Sequence, residues 1–155
     1  TNGGGLRAGL PGGQVTVGDV LTVLPFNNTI AVMGLRGADV AAALEHGLSQ
    51  GAGTAGRFPQ VAGLRFVWDP TAPPGSRVRQ VEVAQGARFA ALDPTRVYRV
   101  VTNDFMRKGG DGYVMFRDRA LDPYDTGPVL DETVADAITA GRFSGVPEDG
   151  RIRAR

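Results

Sequence analysis

The segment that most constrains this chain runs from residue 102 to residue 113 and reads TNDFMRKGGDGY. A β-branched run over residues 97–102 predicts a strand, and the loop after it places three glycines around one aspartate. Glycine adopts positive φ and lets another group approach the backbone closely. The loop therefore holds a carboxylate, Asp111, and an aromatic ring, Phe105, at the end of a rigid element. This pair suits a ligand with a flat ring at one end and hydroxyls at the other, such as a nucleoside.

Length and composition indicate one globular domain. A chain of 155 residues buries roughly 70% of its unfolded surface, and its 42% apolar and 21% charged residues are ordinary for a globular protein. The net charge of +1 favours neither a basic face nor a nucleic-acid partner. No apolar run reaches the ~18 residues that a membrane span needs. Because the chain opens abruptly on TNGGG, we expect residues 1–155 to be a single domain cut from a longer chain.

Hydrophobic spacing and turn residues predict an α+β fold around a mixed, largely antiparallel sheet with two main helices. The predicted strands cover residues 29–35, 64–68, 77–83 and 97–102. A short helix is predicted over residues 16–24, and the main helices over residues 38–49 and from Gly127 to a stop at Gly141. Residues 51–56 are expected to form a connection, and the basic tail over residues 150–155 is expected to be loose.

The residue inventory excludes several kinds of catalytic site. The chain has no cysteine and a single histidine, His46. One imidazole cannot build a hydrolytic two-metal centre, which needs several histidine and aspartate ligands. The sequence also has no nucleophile elbow, no Walker loop and no dinucleotide-binding fingerprint. We therefore expect no catalytic residue and no metal in this chain, and we interpret His46 as an ordinary packed or capping residue of its helix.

Three clusters remain as candidate binding sites: residues 2–7, residues 25–28 and residues 105–112. In the first, successive glycine N–H groups can form an anion-holding concavity beside an arginine. Each cluster also has a plainer interpretation. The first would be a flexible glycine turn, Phe26 of the second would be a core residue, and the third would be a structural turn in which Asp111 caps backbone N–H groups. The side chains singled out are Asn2, Arg7, Phe26, Asn28, Phe105 and Asp111, and the structural glycines are Gly3, Gly4, Gly5, Gly109, Gly110 and Gly112.

Taken together, these clusters resemble the C-terminal domain of the 5′-nucleotidase family, which includes UDP-sugar hydrolases and 2′,3′-cyclic-nucleotide phosphodiesterases. The similarity lies in NGGG(I/L)R at residues 2–7, Pro-Phe at residues 25–26 and LEHG at residues 44–47. It continues with a phenylalanine placed six residues before the aspartate of GGDGY. Each motif alone is weak, but four of them in this order cover nearly the whole chain.

The resemblance implies a substrate-recognition domain. Phe26 and Phe105 would sandwich the base, Asp111 would accept from the ribose hydroxyls, Asn2 and Arg7 would contact the nucleotide, and Asn28 would lie near the base. An N-terminal metallophosphoesterase domain, absent from this sequence, would hold two divalent metal ions and perform the hydrolysis.

The resemblance also implies the setting of the whole protein. The full-length protein would be a 5′-nucleotidase-type hydrolase of phosphoric esters, periplasmic or secreted. Its partners would be a nucleotide or nucleoside and its own catalytic domain, with no nucleic acid and no membrane span. The fragment alone is expected to bind nucleotides weakly and to be inactive.

Two other functions are compatible with the same architecture. Hydrolases that release sulfate from carrier-bound thiosulfate resemble nucleotidases in both domains, but they would need no aromatic clamp beside a ribose-binding aspartate. A non-catalytic interaction module derived from such an enzyme is the other alternative. The sequence upstream of residue 1 would distinguish a hydrolase from a non-catalytic interaction module, because a hydrolase would carry its metal ligands there.

Overall fold

The computed structural model describes residues 1–51, 56–142 and 149–155, and in these ranges the chain forms five α-helices and seven strands. The helices are α1 (Val17–Val23), α2 (Gly37–Gly47), α3 (Asp104–Arg107), α4 (Val114–Asp118) and α5 (Leu130–Thr139). The strands are β1 (Ile30–Arg36), β2 (Leu64–Trp68), β3 (Val78–Gln85), β4 (Arg88–Ala91), β5 (Val97–Asn103), β6 (Leu121–Tyr124) and β7 (Ile152–Ala154). The connection expected over residues 51–56 lies mostly outside the described residues.

The helix boundaries follow from local capping. The Thr16 hydroxyl accepts from the Asp19 N–H while the Asp19 carboxylate accepts from the Thr16 N–H, a capping box that begins α1. At the other end of the chain, Gly141 follows α5 with φ of 65°, as expected of a helix stop. The predicted start of this helix at Gly127 is wrong by three residues. The Gly127 N–H instead donates to the Ile30 carbonyl, which ties this segment to the start of β1.

The fold is α+β as predicted, but it contains two sheets instead of one. The first is antiparallel with strand order β5-β1-β6, and the second has the order β4-β3-β2-β7. In the second sheet β2 pairs antiparallel with β3 and parallel with β7. The predicted looseness of residues 150–155 is therefore wrong, because Ile152 of β7 lies opposite Phe66 of β2. Strands of three or four residues such as β7 carry too little periodicity to be found from sequence alone.

Two hydrophobic clusters form the core. One joins the β1 side chains Met33 and Leu35 to the helices α2 and α4, and Leu35 is fully buried. The other lies between α2 and the second sheet and includes Phe66 and Trp68, as their alternation on β2 predicts. Because α2 contributes to both clusters, it holds the two sheets together. Within the described ranges, no helix has both the length and the apolar character to cross a membrane.

The pairing of β1 with β5 brings two turns that are distant in sequence to one end of the first sheet. The ladder runs from Arg36 opposite Val97 to Ile30 opposite Asn103. Beyond its end, the Asp104 N–H donates to the Thr29 carbonyl at 2.9 Å. The segment before β1 and the segment after β5 are therefore neighbours, which places residues 26–28 and residue 105 at the same end of the first sheet.

Replacing Leu35 by Ala should destabilise the domain by about 2–5 kcal/mol, because it removes a fully buried side chain and leaves a cavity in the first cluster. Val101→Ala is the matched control, since Val101 lies in the same sheet with 60% of its surface exposed, and it should change stability by less than about 1 kcal/mol. Urea unfolding of both variants measures the difference through the midpoint at constant slope. Equal losses of stability in the two variants would contradict the assignment of Leu35 to the buried face and of Val101 to the exposed face of this sheet.

Candidate functional site

The loop that carries Asp111 is built from backbone conformations that disfavour most side chains. It forms a single 3-10 turn, Gly110–Gly112, in which φ is 54° at Asp111 and 84° at Gly112, and Gly109 directly before the turn has φ of 94°. Glycine enters this left-handed region freely, and aspartate is among the few other residues that tolerate it. The local sequence GGDG therefore folds into a turn that projects one carboxylate from a tight backbone.

Two of these glycines also make room for aromatic rings. A Cβ atom on Gly110 would lie 2.5 Å from the Phe105 ring, and one on Gly112 would lie 2.7 Å from the His46 ring. Both distances are shorter than real contacts allow. The backbone on either side of Asp111 thus packs directly against a ring, with Phe105 on one side and His46 on the other. This close approach gives the glycines flanking Asp111 a physical role in positioning it.

Asp111 is held by two hydrogen bonds from distant parts of the chain. The Asn2 amide nitrogen donates to its Oδ2 atom, and the His46 Nε2–H donates to its backbone carbonyl at 2.8 Å. Because a carbonyl only accepts, this bond assigns the imidazole proton to Nε2. Asn2 is buried, with 2% of its surface exposed, whereas Asp111 is only partly buried. The carboxylate therefore faces solvent from a fixed position, with Asn2 behind it.

The glycines of residues 2–7 anchor Asn2. The N–H groups of Gly3 and Gly4 donate to the carbonyls of Phe58 and Gly56 at 2.8 Å and 2.6 Å, and the Gly5 N–H donates to the Asn2 carbonyl at 3.2 Å. These donors are used inside the domain, so the expected anion-holding concavity is wrong. The segment is a structural turn that fixes the backbone of Asn2.

Tyr113 packs against His46 and so supports the loop that carries Asp111. Its hydroxyl donates to the Arg57 carbonyl at 2.6 Å, and its ring meets the His46 ring edge-on with centroids 5.0 Å apart. Burial, with a smaller contribution from the negative charge of Asp111, raises the pKa of Tyr113 well above its ordinary value. The hydroxyl therefore stays protonated and keeps donating throughout the physiological range. A Cβ on Gly47 would lie 2.5 Å from the Tyr113 hydroxyl, so this helix position must also be small.

Both predicted aromatic residues are exposed at the same end of the first sheet. Phe26 has 52% and Phe105 has 45% of its surface exposed, so the plainer interpretation of Phe26 as a core residue is wrong. Asn27, next to Phe26, adopts φ of 51°, which turns the chain sharply. Exposed phenylalanines lose favourable burial. The pairing of β1 with β5 brings two exposed phenylalanines to one end of the first sheet, and this end is therefore a candidate binding surface.

Asp104 connects the two aromatic segments electrostatically. Its carboxylate accepts from the Thr29 N–H at 3.1 Å and from the Lys108 ammonium at 2.8 Å. Burial acts to raise the pKa of Asp104, but the hydrogen bonds from Lys108 and Thr29 outweigh it and hold the pKa below its ordinary value. Asp104 is therefore ionised at neutral pH and keeps the start of α3 attached to the segment that follows Phe26.

The backbones of Arg7 and Asn28 are each held by a hydrogen bond. The Arg7 N–H donates to the Val23 carbonyl at 2.9 Å, and the Asn28 carbonyl accepts from the Leu130 N–H at 2.8 Å. Arg7 is exposed, whereas Asn28 is partly buried. Among the described residues, no group of three histidine, cysteine, aspartate or glutamate side chains is arranged to hold a metal ion.

The structure adds one residue that sequence reasoning undervalued. His46 is more than an ordinary packed residue of α2, because it donates to the backbone of Asp111, which carries the candidate ligand-binding carboxylate. The two residues are 65 positions apart in the chain. The signal available in the sequence was its place in LEHG, the motif shared with the resembled family, since spacing within a helix gives no information about so distant a contact.

Comparisons with known proteins agree on one family. The family model described as 5′-nucleotidase, C-terminal domain, matches residues 1–118. The trifunctional nucleotide phosphoesterase protein YfkN of Bacillus subtilis is 44% identical over 119 residues, which cover 76% of this chain and 8% of that protein.

Two solved structures are similar over most of the chain. The crystal structure of a 5′-nucleotidase precursor from Thermus thermophilus matches with a TM-score of 0.93 and 44% identity, over 99% of this chain and 30% of that one. The sulfate thiohydrolase SoxB of the same species matches with a TM-score of 0.62 and 28% identity, over 94% of this chain and 26% of that one. The chain therefore spans less than a third of the length of these proteins.

Gly110→Ala should displace the Phe105 ring, because the added methyl would lie 2.5 Å from ring atoms. The backbone at Gly110 accepts alanine, since its φ lies outside the left-handed region. Gly12→Ala is the control, because a Cβ there meets nothing within 4 Å. The NMR shifts of the Phe105 ring and the Asp111 amide should move in the first variant and stay unchanged in the second. Unchanged shifts in both would contradict the packing of this ring on the loop.

Proposed function

Because the chain belongs to the family of 5′-nucleotidase C-terminal domains, we propose that it is the nucleotide-recognition domain of a metal-dependent phosphohydrolase. The observation that carries this proposal is the pairing of a solvent-facing carboxylate, Asp111, with the exposed ring of Phe105. The two are fixed to each other through Gly110, whose backbone touches the ring. A ribonucleoside offers the matching groups, a flat base and a pair of hydroxyls.

The base would stack between Phe26 and Phe105. Their exposure supports this, as does the attachment of Asp104 to Thr29, which keeps the two segments together. Stacking of a base on an aromatic side chain contributes about 1–3 kcal/mol and tolerates different bases, because every base has a π-face. Asn28, partly buried two residues after Phe26, would lie near the edge of the base.

The ribose would bind at Asp111. Asn2 donates to Oδ2, and no residue in the described part of the chain donates to Oδ1. A carboxylate oxygen accepts more than one hydrogen bond, and charge-assisted bonds from hydroxyls are about twice as strong as neutral ones. Asp111 thus retains the capacity to accept from both ribose hydroxyls while Asn2 holds it in place.

In this arrangement Asn2 and His46 act as positioning residues. Asn2 is buried behind the carboxylate and His46 holds the backbone of Asp111, so both would affect the nucleotide through Asp111. Arg7 has a different place, because its exposed guanidinium lies at the end of the glycine segment. It would contact the charged part of the nucleotide, as a planar cation suited to phosphate oxygens.

The hydrolysis would belong to an N-terminal metallophosphoesterase domain that holds two divalent metal ions. The matched proteins leave more than two thirds of their length outside this domain, which is ample for such a unit. When bound there, the ions would activate water for attack on the phosphate ester. The role of the present domain would be substrate orientation, and alone it would bind nucleotides weakly without hydrolysing them. We place the full-length protein in the periplasm or outside the cell by the same family resemblance.

The likeness to the sulfate thiohydrolase supports a second candidate, a domain that recognises carrier-bound thiosulfate. That substrate has no base and no ribose. The exposed pair Phe26 and Phe105 and the positioned Asp111 have no evident use in binding it, whereas a nucleotide uses all three. Nucleotide recognition therefore accounts for more of the described surface.

Phe26→Ala and Phe105→Ala should each weaken the binding of AMP and UMP by roughly 5- to 150-fold, the range that corresponds to the loss of about 1–3 kcal/mol of stacking. Phe89→Ala is the matched control, because Phe89 is also exposed (42%) but lies on β4 of the other sheet beneath Arg65. Titration of the domain by NMR measures the affinities. Saturation transfer from Phe26 and Phe105 to AMP, UMP or UDP-glucose should be visible, and its absence with all three would exclude the stacking pocket.

Asp111→Ala should weaken AMP by roughly tenfold or more, as expected for a lost charge-assisted hydrogen bond, and should leave free adenine and the 2′,3′-dideoxy analogue nearly unchanged. His46→Ala should show the same pattern with a smaller loss, because it frees the backbone that presents the carboxylate.

The comparison of AMP with its 2′,3′-dideoxy analogue distinguishes a role of Asp111 and His46 in ribose binding from a purely structural role. His46→Gln is the conservative variant, since its amide can still donate a hydrogen bond, and it should restore part of the ribose preference. Equal losses for AMP and for its dideoxy analogue in the Asp111 variant would contradict the ribose assignment while leaving base stacking intact.

A further inference from the structure

Lys108 is the only lysine among the 17 lysine and arginine residues of this chain. It directly follows α3, at the end of the first sheet where Phe26 and Phe105 are exposed. Its ammonium donates to one oxygen of Asp104 at 2.8 Å, and the Thr29 N–H donates to the other at 3.1 Å. Asp104 directly precedes Phe105. Thr29 follows Phe26 by three residues. The ammonium is therefore held where the two aromatic segments meet.

The exposed member of this ion pair is the cation. The Lys108 side chain has 64% of its surface exposed, against 21% for that of Asp104. Both carboxylate oxygens of Asp104 already accept a hydrogen bond, one from Lys108 and one from Thr29. The hydrogen bond to Asp104 and the charge of this carboxylate raise the pKa of the Lys108 ammonium, which therefore stays charged at neutral pH. The pair thus presents N–H donors to a ligand and keeps its carboxylate behind them.

Asp111 is anchored on the β5 side of this end of the sheet. Its Oδ2 atom accepts from the side chain of Asn2, and the residue before Asn2 is Thr1. The Thr1 hydroxyl accepts at 3.3 Å from the side-chain amide of Asn103, which is the last residue of β5. The proposed ribose site therefore lies beside β5.

Lys108 is directed to the other side of Phe105. Its carboxylate partner is bonded to Thr29, the residue before β1. The negative charge of Asp125, the residue after β6, also raises the pKa of Lys108. Because the strand order is β5-β1-β6, β1 and β6 lie on the same side of β5. The Lys108 ammonium and the Asp111 carboxylate are therefore directed toward Phe105 from opposite sides, and a base stacked on this ring lies between them.

A base held in this way turns the edge remote from its ribose toward Lys108. This edge carries the 6-substituent in purines and the 4-substituent in pyrimidines. Hypoxanthine, guanine and uracil have an oxygen there, which accepts hydrogen bonds, whereas adenine and cytosine have an amino group, which donates them. An ammonium group donates and cannot accept. It therefore forms a charge-assisted hydrogen bond with the oxygen and repels the amino group.

We propose that Lys108 is a specificity-determining residue through which this site prefers nucleotides with a 6-oxopurine or a 4-oxopyrimidine base. This preference rests on the proposed function, since it requires a base stacked on Phe105 and a ribose at Asp111. Asn28 adds no preference of this kind, because its side-chain amide both donates and accepts. Inosine, guanosine and uridine nucleotides are then favoured over adenosine and cytidine nucleotides, although stacking alone tolerates all of them.

Binding of nucleosides, measured by NMR titration, tests this preference without the attraction between an ammonium and a phosphate. Inosine should bind roughly tenfold more tightly than adenosine, and uridine roughly tenfold more tightly than cytidine. Lys108→Met keeps the length of the side chain but removes its charge, and both ratios should fall by about tenfold. Lys108→Arg should retain them, because a guanidinium group also only donates. Arg88→Met is the matched control, since it removes an exposed cation from β4 of the other sheet, and it should leave both ratios unchanged.

The single lysine also gives a direct readout. In a sample with isotope-labelled lysine, the ammonium signal of Lys108 is the only one of its kind, because residues 1–155 contain no other lysine. Saturation with inosine or uridine should shift this signal, and saturation with adenosine or cytidine should shift it much less.

Ratios in Lys108→Met equal to those of the unchanged chain would overturn the base preference. An equal loss of affinity for all four nucleosides would overturn it too, because Lys108 would then only hold the two aromatic segments together. In both cases the nucleosides still bind, so the proposed function stands. Absence of binding of all four nucleosides to the unchanged chain would overturn the proposed function, and the base preference with it.

Discussion

The antiparallel ladder between β1 and β5 is the interaction on which the rest of this domain depends. Its seven paired positions fix which turns meet at its end, and they place the segment of Phe26 beside the segment of Phe105. Beyond the last pair, Thr29 and Asp104 exchange main-chain and side-chain hydrogen bonds that prevent the two segments from separating. A shift of the register by two residues would preserve the buried side chains on one face but would separate the aromatic rings. The site therefore requires this register, and the buried Met33 and Leu35 alone do not select it.

The position of Asp111 shows how a domain of this size presents a charge without burying it. Its backbone is fixed by His46 and packed between two rings, and one oxygen is held by the buried Asn2, yet the carboxylate still faces water. A fully buried carboxylate would incur a large desolvation penalty and would shift toward its protonated form. An unrestrained one would lose conformational freedom when a ligand binds. Holding the group from behind avoids both penalties, which is the physical meaning of preorganisation.

Local signals predicted the longer strands and helices of this chain, whereas the short elements and the contacts between distant residues could not be predicted from them. The helix α1 follows from Thr16 and Asp19 alone, and β2 from the alternation that buries Phe66 and Trp68. The short strands β4, β6 and β7 form because a neighbour offers a free edge, which no property of three or four residues reveals. The pairing of Asn2 with Asp111 spans 109 positions. The motif order led to both residues, but only the fold shows that one holds the other.

Asn2 connects the first residue of the chain to the proposed nucleotide site. Asn2 follows Thr1 directly, its backbone pairs with Pro59, and its side chain holds Asp111. Thr1 bonds to Gln60 and Gly3 bonds to Phe58, so the backbone of Asn2 is fixed from both directions along the chain. In the proposed site, the amide that holds Asp111 would then lose little freedom when a ligand binds. These main-chain bonds would therefore contribute to ligand affinity through the order they impose on Asn2.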